Sequence, residues 1–474
     1  MRTGNPEVLE ADFRNQLQDF GLQFDTITGL PNRDQFRTSL RRMMDEAVTD
    51  GDEIALLWVD VLNVRREYSI GGEDAAERLL WTVADRLRTC VESDELICRF
   101  NDHCFLLALR RDKSTPTRLK LILETGSEAH WLSSEGRPEI AAGVAFFPEH
   151  ATTSGELIRF ASLAAALGTR SRSRSPIFFH PEMNRALLKE RDLEKDLRIA
   201  LREDRLTLSY QPQIDLVTGN VVGVEALTRW NHPTRGSVSP AQFIPVAEQS
   251  DLIDELFRNS LRRLLVDAAK WRESGVVIPS LAINASAANV RHEDFSSTVH
   301  REMDANPPGF SHLDIEVTES LMMDDENLFA QRLRALRLLG VKVSLDDFGT
   351  RYTGFNALKG LPLNSMKIDK CFVHGLERSY QSQALCRTIV SMARHLRLGT
   401  VAEGVGNCNE LRILKKIGCQ VGQGYLFQRP VRSDLFLEFL RNWQERKKEP
   451  EFADIFLNVE VYPQHEIDLL FGVA

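Results

Sequence analysis

The sequence lacks long apolar runs and any cysteine pattern. No segment approaches the ~18 uninterrupted apolar residues that a membrane-spanning helix needs, and the polar stretch Met1–Asn15 has no apolar core like that of a signal peptide. The seven cysteines are scattered without a CxxC pair, which is typical of reduced thiols. We therefore expect a cytoplasmic protein with no membrane span.

An excess of basic residues is also absent. The chain has 59 Lys and Arg against 68 Asp and Glu, a net charge of −9, which disfavours non-specific binding to duplex nucleic acid. An acidic protein can still bind an anionic ligand where metal ions invert the local field. One basic stretch, Thr169–Ser175, is interpreted as a solvated linker, with contact to RNA or an anionic membrane as the alternative.

The length of 474 residues predicts more than one domain. We divide the chain into five segments. They are a leader over 1–25, an α/β domain over 26–180, a connecting helix over 181–204, a second domain over 205–446 and an extension over 447–474. The apolar runs of the extension would dock either on the second domain or on a partner protein.

The first domain alternates strand and helix patterns. Two apolar runs, Ile54–Val61 and Ile140–Phe147, predict strands, and Glu73–Thr89 has helical periodicity. Two further runs, Leu96–Phe100 and Cys104–Leu109, flank a polar pair and predict a hairpin. This pattern indicates an α/β domain with a mixed sheet.

The second domain repeats a strand followed by a helix eight times. This repeat predicts a parallel (β/α)8 barrel with room for an irregular first strand, and a doubly wound open sheet is the alternative. The predicted strands are Leu208–Gln213, Val221–Leu227, Leu281–Ala285, Leu313–Thr318, Lys342–Leu345, Ser365–Ile368, Thr400–Ala402 and Gly424–Phe427.

Chemically active groups follow the apolar part of most of these strands. They are Glu225, Asn284, Glu316, Asp346, Asp347, Lys367 and Glu403. The C-terminal strand ends of a parallel barrel meet at one mouth, where active sites lie. Carboxylates gathered there would repel one another, and oxygen-seeking cations such as Mg²⁺ or Mn²⁺ remove that objection. Each residue alone is explained as a cap, a turn or a surface charge, but the joint pattern favours a metal site.

Nine motifs follow one another along the second domain. They are YQPQID (210–215), VEALTRW (224–230), FIPVAEQSDLI (243–253), LAINAS (281–286), IEVTES (315–320), SLDDFGT (344–350), MKIDK (366–370), VAEGV (401–405) and GQGYLFQRP (422–430). In sequence and in order they resemble the motifs of the EAL family of cyclic-di-GMP phosphodiesterases. The resemblance implies a barrel fold and hydrolysis of cyclic di-GMP to linear 5′-pGpG.

The resemblance also implies a two-metal site. By motif position, one Mg²⁺ or Mn²⁺ ion would be held by four residues. These are Glu225, Asn284, Glu316 and Asp346. Asp346 would bridge to a second ion that Asp347 completes.

Further roles follow from the same motif positions. Glu403 would lie near the metal ions, Lys367 would position or help deprotonate the attacking water, and Glu319 would secure the loop after Asp347. The residues implied to contact the ligand are Gln211, Arg229 and Gln423.

Two positions depart from the family pattern. Arg351 replaces a glycine of the family pattern, and a side chain costs free energy wherever φ is positive. Gly406 replaces the last residue of the family's AEGVE, so a carboxylate near the metal site is lost. We expect these two changes to reduce the activity or alter its regulation rather than to abolish it.

The first domain opens with the segment Asp25–Phe36, DTITGLPNRDQF, and has an acid, Asp60, near the end of its first predicted strand. The segment resembles the opening motif of GGDEF-type diguanylate cyclases, and this resemblance implies that Asp60 is one metal ligand. The GGDEF positions are Asn101, Asp102, His103, Cys104 and Phe105, which removes both phosphate-approaching glycines and places Cys104 at the metal-binding acid. At four other positions the family's functional residues are replaced in this chain by Leu62, Tyr68, Ala76 and Val91. The resemblance therefore implies a domain without cyclase activity that supports dimerisation or docks a partner.

Three functions remain open on the sequence. A phosphodiesterase is favoured, since the ligand set is complete. The alternatives are a receptor that binds cyclic di-GMP without cleaving it and a protein-interaction scaffold. We expect a homodimer, with a protein partner at the first domain or the C-terminal extension.

Overall fold

The computed structural model of the protein describes residues 23–127, 137–171, 173, 175–306, 310–319, 326–349, 360–450, 452 and 456. The chain divides into two compact units, Met1–Glu190 and Arg191–Ala474. Within the described ranges, no helix has the length and apolar character to cross a membrane. All seven cysteines are free thiols.

The first unit contains a five-stranded mixed sheet in the order β2-β3-β1-β4-β5. Its strands are β1 (Ile54–Val61), β2 (Leu96–Asn101), β3 (Cys104–Arg110), β4 (Ile140–Phe147) and β5 (Ile177–Phe178). Its helices are α1 (Arg33–Asp50), α2 (Val64–Thr89), α3 (Thr115–Ser127) and α4 (Ser154–Ser171). A further helix, α5 (Pro181–Arg202), continues into the second unit.

Strand β1 occupies the centre of this sheet because its sequence is apolar on both faces. It pairs antiparallel with β3 and β4, and separate apolar clusters cover the two faces of the sheet. The predicted strands, the hairpin and the mixed sheet are confirmed. Helix α2 begins earlier than predicted and has a break at Gly72, whose φ of 73° is left-handed.

The second unit contains nine strands, and eight of them form a barrel. Its strands are β6 (Leu206–Asp215), β7 (Val221–His232), β8 (Gly236–Val238), β9 (Ile278–Ala285), β10 (Phe310–Thr318), β11 (Lys342–Phe348), β12 (Ser365–Ile368), β13 (Gly399–Ala402) and β14 (Val421–Gly422). The barrel runs β6-β14-β13-β12-β11-β10-β9-β7 and closes by pairing of β7 with β6, while β8 extends β7 outside it. Strand β6 is antiparallel to both neighbours, and the other barrel pairs are parallel.

Helices surround the barrel and bury its outer face. They are α6 (Pro240–Gln249), α7 (Ile253–Glu273), α8 (Ala287–Arg291), α9 (Phe295–Ala305), α10 (Glu326–Leu338), α11 (Lys370–Val373), α12 (Tyr380–His395), α13 (Cys408–Lys416) and α14 (Ser433–Arg446), with a 3-10 turn at Leu376–Arg378. Strand and helix side chains form one large apolar core. This arrangement confirms the predicted barrel and excludes the open sheet.

The strand predicted at Gly424–Phe427 is wrong. The last barrel strand is Val421–Gly422, and the predicted segment forms a turn in which the N–H groups of Phe427 and Gln428 both donate to the Gly424 carbonyl. The Phe427 ring enters the core, 6.0 Å from the ring of Trp443, and this packing explains why an apolar residue stands in the turn. The apolar run therefore reflects packing of a turn rather than a strand.

Two residues of the C-terminal extension pack against the barrel. The Phe452 ring is fully buried and meets Trp443 edge to face at 5.5 Å. The Phe456 ring lies over Gly219, where an added Cβ would be only 3.0 Å from it. For these two residues, docking on the barrel is the observed alternative.

Candidate active site

The register of the parallel strands brings the predicted residues to one end of the barrel. Glu316 on β10 pairs with Asn284 on β9, and Asp346 on β11 pairs with Thr318 two residues further along β10. Lys367 is the third residue of β12, and Glu403 directly follows β13. Side chains from five neighbouring strands thus reach a common site, as barrel geometry predicts.

Lys367 lies at the centre of the site and is completely buried. Its Nζ atom is 2.7 Å from a carboxylate oxygen of Glu316 and 2.7 Å from one of Glu403. The same atom lies 3.3 Å from Asp346 and 3.5 Å from Glu225. One ammonium group therefore holds four carboxylates together.

Glu225 is held by amides as well as by the lysine. Its carboxylate accepts hydrogen bonds from Asn284 Nδ2 at 2.7 Å and from Gln423 Nε2 at 2.5 Å. Gln423 Nε2 also lies 3.0 Å from Gln211 Oε1, and Gln211 Nε2 donates to the Gln428 carbonyl. The two predicted ligand-contact glutamines are thus buried beside Glu225.

The expectation that Glu225 ends its strand is wrong. Strand β7 continues to His232 because it pairs with β6 as far as Trp230 and with β8 over its last three residues. Glu225 still reaches the site because it pairs with Gln211 across the hairpin and with Ala282 on β9.

A second group of acids lies beside the lysine. Asp346, Asp347 and Glu403 each place a carboxylate oxygen within 4.8 Å of the other two. Asp347 has a φ of 55°, a left-handed conformation that is uncommon for a non-glycine residue and is concentrated at functional sites. Its N–H donates to its neighbour Asp346 at 2.9 Å. This acid triplet is the part of the described chain that best fits a cation.

Burial and mutual repulsion shift the pKa values of these groups. Burial raises the pKa of Glu225, but the Lys367 ammonium and the amides outweigh it, so that pKa lies below its ordinary value. Burial and the charge of Glu225 raise the pKa of Glu316 well above its ordinary value. Burial lowers the pKa of Lys367, but the surrounding carboxylates outweigh it and raise that pKa well above normal. The lysine therefore stays charged.

The outer acids are affected in the same way. Burial and the neighbouring Asp346 raise the pKa of Asp347 to about 6. Burial raises the pKa of Glu403 to about 7, although Lys367 opposes the shift. Four carboxyl groups contact the Lys367 ammonium and a fifth, that of Asp347, lies beside two of them, so the site carries more acid than its lysine neutralises.

Comparison with known proteins identifies the barrel. The EAL domain family matches residues 194–430, half of the chain. The chain belongs to the EAL family. A second family, the diguanylate cyclase GGDEF domain, matches residues 22–170.

Two curated relatives span both domains. Cyclic di-GMP phosphodiesterase NbdA of Pseudomonas aeruginosa is 31% identical over 427 residues, which are 89% of this chain and 54% of NbdA. Cyclic di-GMP phosphodiesterase PdeR of Escherichia coli is 30% identical over 433 residues, 89% of this chain and 64% of PdeR. The chain spans about half the length of NbdA and less than two thirds of PdeR.

A solved structure shares the fold. The EAL enzyme Bd1971, in a form bound to cAMP and cyclic di-GMP, superposes with a TM-score of 0.51 and 26% identity. The match covers 65% of this chain and 81% of that chain.

Two further predicted residues of the EAL domain are Arg229 and Glu319. Arg229 is half-buried, its guanidinium donates to the Thr228 carbonyl at 3.0 Å, and burial lowers its pKa. A cavity of about 210 Å³ borders both Arg229 and Asn284. Glu319 is buried directly after β10. The loop that it is predicted to secure, with Arg351, lies outside the described residues.

The sequence reasoning left two neighbours of the site without a role. Asp369, in the quoted motif MKIDK, hydrogen-bonds the side chain of Asp347. Tyr425, in the motif GQGYLFQRP, is exposed, lies near Arg229 and has the Arg429 guanidinium 4.3 Å above its ring. Both residues lie in motifs that resemble the EAL family, and this position is the sequence signal that indicates a role at the site.

In the GGDEF domain, the acid Asp60 lies near the end of the central strand β1. Asp60 accepts a hydrogen bond from Trp58 Nε1 at 2.8 Å, and His103 Nε2 lies 4.0 Å away. Cys104, which pairs with Asp60 between β1 and β3, is fully buried and hydrogen-bonds the Asp60 side chain. Burial raises the pKa of Asp60 and that of the Cys104 thiol.

The turn residues of this hairpin are engaged with the backbone. The Asn101 side chain accepts from the His103 N–H at 3.1 Å. The Asp102 carbonyl accepts from the Arg99 guanidinium at 3.0 Å. The five residues Asp60, Asn101, Asp102, His103 and Cys104 thus lie together near the end of β1 and the turn between β2 and β3.

Proposed function

We propose that the EAL domain hydrolyses cyclic di-GMP to linear 5′-pGpG with bound Mg²⁺ or Mn²⁺. The arrangement that carries this proposal is Lys367 buried among the carboxylates of Glu225, Glu316, Asp346 and Glu403. A buried acid cluster of this size is costly unless cations compensate it. The names of NbdA and PdeR support the choice of substrate.

The donor chemistry of the site fits hard divalent cations. The available ligand atoms are carboxylate and amide oxygens, which Mg²⁺ and Mn²⁺ prefer. The buried Oε1 atom of Gln423, beside Glu225, has no hydrogen-bond partner among the described residues. We propose that one ion is held by Glu225, Asn284, Glu316 and Asp346. The second ion would lie at Asp346 and Asp347, beside Glu403.

The residues of the chain would then divide the work. Bound divalent ions would activate water and neutralise charge on the phosphate and the leaving oxygen. Lys367 would orient the attacking water, since its ammonium lies within hydrogen-bond reach of two carboxylates that face the site. Arg229 would clamp a phosphate through its planar guanidinium. Gln211 and Gln423 would orient Glu225, a role that their hydrogen bonds support.

Chromatography of reaction products tests this function. Purified protein is incubated with cyclic di-GMP and Mg²⁺ or Mn²⁺, with an EDTA-treated sample as control. We expect pGpG in the metal samples and none with EDTA. Binding without cleavage would favour the receptor, and neither binding nor cleavage would favour the scaffold.

We propose further that the GGDEF domain has no cyclase activity. Cys104, which pairs with Asp60, supports this, because burial raises the pKa of its thiol and a neutral thiol is a poor ligand for Mg²⁺ or Mn²⁺, which prefer oxygen. Incubation with GTP and Mn²⁺ should yield no cyclic di-GMP. Formation of that product would contradict the proposal.

We assign the GGDEF domain a regulatory or dimerising role. Its intact apolar core supports a retained structural purpose. Deleting residues 1–180 should change either the mass measured by light scattering or the rate of pGpG formation. Unchanged mass and rate would argue against this role.

A further inference from the structure

Glu410 is a buried acid outside the proposed ligand set. It lies in the first turn of α13 and is only 1% exposed. Each of its two carboxylate oxygens accepts a backbone hydrogen bond from a different loop. A buried carboxylate with both oxygens so engaged connects the segments that it contacts.

The first of these loops carries Glu403. After β13, the Glu403 N–H donates to the Ile368 carbonyl on β12. The Val405 N–H then donates to the Gln423 carbonyl, and the N–H of Gly406, near the end of the loop, donates to Glu410 Oε2 at 2.7 Å. Glu410 thus secures the end of the loop that begins with a proposed active-site acid.

The second loop follows the strand that carries Lys367. Helix α11 comes directly after that strand, and Gly375 ends the segment with a left-handed φ of 72°. The Gly375 N–H donates to Glu410 Oε1 at 2.9 Å. One side chain therefore ties the segment after β12 to the segment after β13.

Gly406 is the position where the EAL family pattern has a glutamate. A Cβ added at Gly406 would lie 3.4 Å from Glu410 Oε2. The Glu410 carboxylate thus lies beside Gly406, the position at which the family's carboxylate is missing.

We propose that Glu410 is a positioning residue that holds the Glu403 loop against the segment after β12, and so keeps Glu403 beside Lys367. This inference deepens the proposed function and rests on it for the role of Glu403. It assigns to α13 a carboxylate that compensates for Gly406.

A plain helix-capping role is the competing explanation, and the chain offers a control for it. The Asn407 side chain caps the same helix by accepting from the N–H groups of Asn409 and Glu410. It receives neither the Gly375 nor the Gly406 hydrogen bond. Asn407→Ala therefore removes a cap from α13 and leaves the connection between the two loops in place.

The experiment compares Glu410→Ala, Glu410→Gln and Asn407→Ala in the full chain. Mn²⁺ affinity is measured by calorimetry, and deuterium exchange of the peptide covering 403–406 is measured without metal. Glu410→Ala should weaken Mn²⁺ binding about 10-fold, the scale for residues that support metal ligands, and speed exchange of that peptide. Glu410→Gln keeps one acceptor oxygen and should fall between. Asn407→Ala should lower the melting temperature but preserve Mn²⁺ affinity.

Wild-type affinity and exchange in Glu410→Ala would overturn the inference, as would an equal loss in Asn407→Ala. Wild-type protein that binds no Mn²⁺ would instead overturn the proposed metal site. In that case the exchange comparison still decides whether Glu410 holds the loop.

Discussion

The EAL barrel and the GGDEF sheet each place an aspartate near the C-terminal end of a strand, and the two aspartates have different partners. In the barrel, Asp346 joins a set of acids around the Lys367 ammonium. In the sheet, Asp60 faces an indole N–H and a buried thiol. The pKa of Glu225 is held below normal because a cation and amides outweigh burial, whereas burial raises that of Asp60. Partners, rather than burial alone, decide whether an acid remains charged.

The largest break in this comparison should come from Lys367→Met. Removing the ammonium leaves buried carboxylates without a counter-ion, which costs about 3–5 kcal/mol for a broken buried pair. Urea denaturation of metal-free protein measures the loss, and Mn²⁺ should recover part of it. The exposed residue Lys416 offers the control Lys416→Met, and equal stability of the two variants would refute a central role for Lys367.

Glu225→Ala should break the catalytic side of the comparison. We expect turnover of cyclic di-GMP to fall on the order of 100-fold or more, above the ~10–100-fold typical of residues that only support a metal ligand. Circular dichroism should show a folded barrel. Glu438 on α14 is exposed, so Glu438→Ala should retain full turnover. Substantial turnover in Glu225→Ala would sink the metal assignment.

Cys104→Glu asks whether the family acid can return to the GGDEF domain. Cys104 is fully buried between core strands, so a larger, ionisable side chain should reduce the free energy of unfolding by about 2–3 kcal/mol. Cyclase activity should stay absent, because the turn glycines are still missing. The measurements are urea denaturation and assay with GTP, and a stable, active variant would contradict both expectations.

The smallest effect is expected from Asp60→Asn. A raised pKa means that folding favours protonated Asp60, so the associated stability is present below its ordinary pKa of ~3.9 and is lost as pH rises through the raised value. The amide mimics the protonated form, so the variant should be more stable at pH 7, by less than about 1 kcal/mol, and equal to wild type near pH 3. A gain that does not depend on pH would contradict this account.

Much of the fold could be predicted from the sequence because apolar runs mark buried strands. Ile54–Val61, Ile140–Phe147 and Ser365–Ile368 have the predicted bounds. The antiparallel direction of β6 was readable too, since the turn 216–220 before β7 is too short for a parallel crossover. The last strand was missed because two residues give no periodicity and the apolar Phe427 nearby packs as a turn.

Less of the site could be predicted. The sequence indicates which acids converge but not which charges compensate them. Lys367 resembles a solvated amine until the strand register places it between Glu316 and Glu403. Likewise, the hydrogen bonds of Gln423 and Glu410 depend on loops that meet only in the closed barrel.

Strand β14 has only two residues, yet it connects β13 to β6 in the barrel. The residue that follows it, Gln423, fixes Glu225. A seam with so few backbone hydrogen bonds is where a brief local opening would begin. Such an opening would free Glu225 from its amide while the rest of the barrel stays folded, so the chain could lose its reactive geometry well before it melts.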